Sequence, residues 1–142
     1  MLYALLTIML AAQPGERPAL TVQAPDSPVK LERATVLTSA DGPPVLLYSA
    51  TNLTDNGLDQ FTVIAFVFAA DGTLKARQTA PGRHLLNAHE TKYSTLVLDG
   101  SPVEPTDKIV VGVNQAQRVN SDAWWRADVQ RAAEALVPRK QP

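Results

Sequence analysis

The sequence predicts an all-β fold, an antiparallel sandwich of about seven strands followed by a C-terminal α-helix. Three observations carry this expectation. The stretch Phe61 to Gln78 reads as a β-hairpin, with aromatic and β-branched residues leading into Asp71-Gly72. On either side of it, short apolar runs alternate with clusters of Gly, Pro, Asn, Asp and Ser at close, regular spacing. Beyond Ser121 the apolar pattern changes from strand period to helical period.

Within the hairpin, Thr62, Ile64, Phe66 and Phe68 share one face, and Phe61, Val63, Ala65 and Val67 the other. Both faces are largely apolar, which places this strand centrally in its sheet. The return run Thr73 to Gln78 carries Lys75 and Arg77 and suits a strand nearer an edge.

Taken in order, the chain opens with Leu2 to Ala12, almost wholly apolar, and its first charged side chain is Glu16. Eleven residues are too few to span a bilayer as a helix. They match the apolar region of a secretory signal with small residues at Ala11 and Ala12, so residues 1–12 are expected to be a signal peptide. A periplasmic or secreted protein follows, with no stable membrane span after signal removal. Residues 13–28 hold Pro14, Pro18, Pro25 and Pro28 and read as a proline-rich linker.

Strands are expected at Val29 to Thr38, with Leu31 and Leu37 on one face and Ala34 and Val36 on the other, and at Val45 to Leu53. The turn clusters Ser39 to Pro44 and Thr54 to Gly57 close them. After the hairpin, Ala80-Pro81-Gly82 breaks the chain and Arg83 to Leu86 reads as a short strand. Lys92 to Asp99 sets Ser94, Leu96 and Leu98 against Tyr93, Thr95 and Val97, and Lys108 to Val119 is the last strand. Together residues 29–119 form the sandwich. Ser121 and Asp122 suit a helix cap, and Trp125, Val129, Ala132 and Leu136 fall at helical spacing. The expected helix occupies residues 121–137, running from Ala123 to Val137, with surface pairs Asp122–Arg126 and Asp128–Arg131. Residues 138–142 are a polar tail.

These strands resemble small bacterial immunoglobulin-like domains of the FxLYD type over roughly residues 29–119. Ala50-Thr51-Asn52 before Thr54-Asp55 is similar to the family's second strand ending in Asn. Phe66-Val67-Phe68 leading to Asp71-Gly72-Thr73-Leu74 is similar to its central strand and turn, and Pro81-Gly82 with Tyr93 to Leu98 to its later turn and strand. Aligned on Gly72, the family's tyrosine position holds Phe68 and its aspartate position Ala69. The resemblance implies an immunoglobulin-like sandwich, an accessory domain of an exported bacterial protein, with no catalytic residues to carry over.

Composition narrows function. Thirteen basic and fourteen acidic residues leave a net charge of -1 with no basic stripe, which argues against nucleic-acid binding. The absence of cysteine removes disulfides, thiolate chemistry and cysteine metal sites. His84 and His89, beside Glu90, are the two imidazoles, too few ligands for a specified metal site. Met1 and Met9 both lie in the signal segment, which leaves no soft copper ligand. There is no Gly-x-Ser-x-Gly elbow, and Asp41, Asp55, Asp59, Asp71, Asp99 and Asp107 sit mostly in turns. Asn52-Leu53-Thr54 matches the glycosylation sequon, discounted for a bacterial resemblance.

The expectation is therefore no catalytic residue, no metal and no cofactor. Trp125 is expected in the core, leading the helical stripe. Trp124, sharing its side of the helix with Asp128 and Arg131, either rests its ring flat on the sheet rim or, with Arg131, offers a contact to a protein partner. The function expected is a non-catalytic exported binding or assembly module of the bacterial cell envelope. The alternative is an envelope chaperone or adaptor that offers a sheet edge to a partner strand. A hydrolase or metal-binding protein ranks behind both.

Overall fold

The computed structural model describes residues 15–141. The expected signal peptide, residues 1–12, lies outside the described residues. Within them the chain is an all-β sandwich with one short C-terminal helix. In chain order the elements are β1 (Glu16–Pro18), β2 (Leu20–Val22), β3 (Val29–Ser39), β4 (Gly42–Asn52) and β5 (Leu58–Phe68). They continue with β6 (Leu74–Pro81), β7 (Thr91–Val97), β8 (Lys108–Arg118), β9 (Ala123–Trp125) and α1 (Val129–Leu136). One sheet, here sheet A, runs β1-β3-β4-β7; the other, sheet B, runs β2-β8-β5-β6, with β9 also paired to β8.

β5 is central, as its two apolar faces require. It pairs with β6 on one side and β8 on the other, both antiparallel. Phe61, Val63, Ala65 and Val67 enter the core between the sheets, where they meet Leu31, Val36, Leu46 and Tyr48 of sheet A. Ile64, Phe66 and Phe68 point outward, and that face is covered by Val129 and Ala133 of α1 together with Val137. Burying an aromatic or aliphatic side chain fully contributes about 1.5–3 kcal/mol, so a strand buried on both faces concentrates much of the fold's stabilisation. At the turn, Gly72 N–H donates to the Ala69 carbonyl, and Asp71 Oδ1 accepts the Thr73 N–H at 2.9 Å. Of the Asp71-Gly72 pair, Gly72 alone takes a positive φ, 88°.

Four sequence expectations are corrected. First, residues 13–28 are not a plain linker: Glu16–Pro18 and Leu20–Val22 are strands, the first antiparallel to β3 and the second parallel to β8. Proline is tolerated there because Pro18 ends an edge strand, where a missing N–H breaks no ladder. Second, a β-bulge between Glu32 and Thr35, with Arg33 at φ 51°, resets the alternation of β3. Leu31, Ala34 and Val36 consequently all face the core, while Leu37 lies on the outer face. Third, Arg83 to Leu86 is no strand; it contributes a single bridge, Leu86 to Leu58.

The fourth correction is the largest. Residues 121–128 are not helical. Val119 to Asp122 turns the chain, with Asn120 at φ 56°, and Ala123–Trp125 returns as β9 against β8. The helix is the eight residues Val129–Leu136, and Asp128, not Ser121 or Asp122, stands at its N-cap. Its buried stripe is Val129, Ala133 and Val137, in place of Trp125, Ala132 and Leu136. Eight residues are too few for a stable isolated helix, so α1 depends on this packing. No helix among the described residues is long and apolar enough to cross a membrane.

Candidate functional site

β7 is the longest strand edge left bare and unguarded among the described residues. It pairs with β4 and with nothing on its other side. Leu98 N–H donates to the Pro44 carbonyl at 2.8 Å and Asn52 N–H to the Glu90 carbonyl at 2.9 Å. In this register the even-numbered residues of β7 bond to β4, and Thr91, Tyr93, Thr95 and Val97 aim their N–H and C=O groups away from it. The Gln78 side chain already donates to the Val97 carbonyl at 3.0 Å, which leaves the run Thr91 to Thr95 open.

Edge strands are commonly guarded by prolines, charges or shortness. The edge strand of sheet B, β6, ends in Pro81 and carries Lys75 and Arg77. β1, β2 and β9 are three residues each. β7, by contrast, reads Thr-Lys-Tyr-Ser-Thr-Leu-Val, and its one charge, Lys92, is held by Glu90 at 3.3 Å and the Leu85 carbonyl at 3.1 Å. A groove of about 310 Å³ runs beside it, lined by Leu47, Pro81, Gly82, Arg83, Tyr93 and Thr95.

The adjoining outer face of sheet A is partly apolar. Leu37, Val45 and Leu47 are half-buried, and Tyr93 and Val97 are 47% and 43% exposed. Across β4, Arg33 donates to the Tyr93 hydroxyl at 3.0 Å. The outer face of sheet B lies under α1. The two faces of the sandwich are thus unequal: one is covered by the chain's own helix, and over the other no helix lies among the described residues.

The expected partner contacts fall elsewhere. On a strand, adjacent side chains point to opposite faces, so Trp124 turns inward and packs against the core while Trp125 is 69% exposed. This reverses the sequence assignment, which had Trp125 buried. Trp124 Nε1 donates to Asp26 Oδ2 at 3.1 Å. Both indoles line an open groove of about 380 Å³ with Ala24, Pro25, Asp26, Arg126, Ala127 and Asp128. Arg131 is exposed on α1 and does not line this groove. The ion pair observed near it is Arg126 with Asp128, 2.8 Å, rather than Asp122–Arg126 or Asp128–Arg131. That pair draws the Asp128 carboxyl below its ordinary range.

The remaining ionisable groups are engaged locally. His89 Nε2 lies 2.8 Å from Asp55 Oδ1, with both side chains exposed, and His84 is exposed on its own turn. Glu90 turns away from His89 to accept the Asn87 N–H at 3.1 Å, which with Lys92 holds its carboxyl below the ordinary range. Among the described residues no three His, Asp or Glu side chains gather as a metal would require. Asp107 is buried against Lys75 and caps the Glu104 N–H at 2.8 Å. Asn52 is fully buried, and its amide donates to the carbonyls of Asn56, Leu86 and Asn87 at 2.8–3.2 Å. Its oxygen accepts from the Thr54 N–H and hydroxyl, so the sequon is a structural hub closed to modification.

No protein-family model matches the chain, and no curated protein does. Among solved structures, the 1.85 Å X-ray structure of a hypothetical protein from Peptoclostridium difficile 630 is similar, with a TM-score of 0.56 and 8% identity. The match covers 79% of this chain and 92% of that one. At that identity the likeness concerns the fold alone.

Proposed function

We propose that the protein is a non-catalytic, exported binding or assembly module of the bacterial cell envelope. The observation that carries the reading is the unguarded β7 edge. A strand whose Tyr93 and Thr95 present free backbone donors and acceptors beside an apolar outer face is suited to take an extended segment as an added strand. The same edge favours the adaptor or chaperone form of the reading, in which a partner's strand is held in the groove between β7 and Pro81-Gly82-Arg83. A binding rather than catalytic role is supported by how the carboxylates are used: Asp71, Glu90 and Asp107 each bond to nearby backbone N–H groups. The resemblance to FxLYD-type domains points the same way.

Two measurements test it. Mass spectrometry of the envelope fraction of an expressing bacterium should find a chain beginning near Gln13; an intact Met1 chain confined to the cytoplasm removes export. A photo-reactive residue at Tyr93 should cross-link a partner through an extended segment, and Thr95→Pro should abolish the cross-link. Proline at position 95 deletes an N–H that points away from β4, so folding is retained while strand addition is blocked. Equal cross-linking in wild type and Thr95→Pro overturns the edge reading.

A further inference from the structure

We propose that the groove around Trp125 is a binding site for a neutral oligosaccharide, with one pyranose ring stacked on the exposed indole. The site lies on the β8–β9 hairpin and stands independently of the β7 edge.

The backbone beneath the indole is held in place. β9 is held in register with β8, Gln115 opposite Trp125, and the next residue, Arg126, donates its N–H to the Asn114 carbonyl at 2.9 Å. The neighbouring Trp124 anchors the strand from within, packed on the core with its N–H on Asp26. An indole carried on backbone held this way, with few side-chain rotors to freeze, gives large contact area at small entropic cost.

The surroundings select the ligand class. The contacts around a protein-binding hot spot serve chiefly to exclude water from it. Here the groove holds Asp26, Arg126 and Asp128, with Trp124, Ala24, Pro25 and Ala127 as apolar company, and it is open to solvent. An exposed aromatic face beside hydrogen-bonding groups complements a molecule with one apolar face and a polar rim. A pyranose has that shape: axial C–H bonds form the face and equatorial hydroxyls the rim.

Asp26 and Asp128 each engage one oxygen internally and keep the other for a hydroxyl, and Arg126 uses Nε on Asp128 while its terminal nitrogens stay available as donors. Two carboxylates against one guanidinium disfavour anionic glycans, which leaves neutral ones.

The test titrates the full chain with the trimers of β-1,4-linked N-acetylglucosamine and of β-1,4-linked glucose, read by tryptophan fluorescence and calorimetry. The expected result is a saturable blue shift with at least one trimer, as the exposed indole is covered. Trp125→Ala should weaken binding by about tenfold or more, a loss of about 1.4 kcal/mol, while the melting temperature stays unchanged. Trp125→Phe, which keeps a stacking face, should recover part of the loss. No saturable change with either trimer at tens of millimolar, or binding that survives Trp125→Ala, overturns the proposal in favour of a protein contact.

Discussion

Gly82 lies directly on the ring of Phe61. A Cβ at position 82 would sit 2.2 Å from two ring carbons, and the Gly82 N–H donates to the Phe61 carbonyl at 2.7 Å. The break after β6 is therefore a packing requirement of the central strand as well as a turn.

Gly82→Ala is expected to destabilise the fold by about 1–3 kcal/mol or more, since a fully buried ring cannot yield that space without strain. Phe61→Leu should largely relieve the cost, so the two substitutions will couple in a double-mutant cycle measured by urea unfolding. Additive effects would refute the contact.

Asn52→Ala should cost at least about 2 kcal/mol. Three carbonyls each lose one of their two donors and the Thr54 N–H loses its acceptor, at a side chain that is itself fully buried. Asn52→Asp should be worse than neutral too, because a carboxylate cannot donate to the three carbonyls. Denaturant midpoints at equal slope check both; a shift indistinguishable from wild type would show that the hub contributes nothing.

The tryptophans should behave oppositely to their sequence assignment. Trp124→Ala is expected to destabilise by about 2–4 kcal/mol through lost core packing and the stranded Asp26 bond. Trp125→Ala should stay within about 0.5 kcal/mol of wild type, as surface changes usually do. A more damaging Trp125→Ala would mean that β9 is not paired as described.

Acid sensitivity follows from three carboxylates near the surface. Asp71 is lowered by bonds to Thr73, Glu90 by the Asn87 N–H, and Asp128 by Arg126. A carboxyl whose folded value lies below its unfolded one contributes stability that is fully present above the unfolded value, near pH 4, and is lost as pH falls through the folded value. Urea midpoints should be flat from pH 7 to about 5 and decline below about pH 4. Asp71→Asn, which keeps an acceptor for Thr73 but no charge, should make that decline shallower. A midpoint that rises on acidification would contradict the sign.

What was legible in the sequence was the period of long strands. β5 and β7 each run for seven residues or more between turn residues, and their faces were read correctly from the strand period. Elements of three residues carry no period, so β1, β2 and β9 were missed. Val129, Ala132 and Leu136 do lie on the helix, but Trp125 falls at helical spacing from them by coincidence: it belongs to a strand, and the turn at Ser121-Asp122 resembled a helix cap. The bulge at Arg33 left no clear mark either, because one inserted residue shifts a register without altering composition. That β7 is an edge could not be read at all, since edges are decided by which strands pair across the whole chain.

The parallel pairing of β2 with β8 has a consequence in time. Leu20 meets Val110, so one of the first strands made waits for one of the last. While the chain is being synthesised, β3–β4 and β5–β6 can form as local hairpins, but sheet B cannot close until Lys108–Arg118 has emerged. Such long-range closure is slow compared with hairpin formation. Late closure therefore leaves β2 without its partner strand until the C-terminal part of the chain exists, although β1 can already pair with β3.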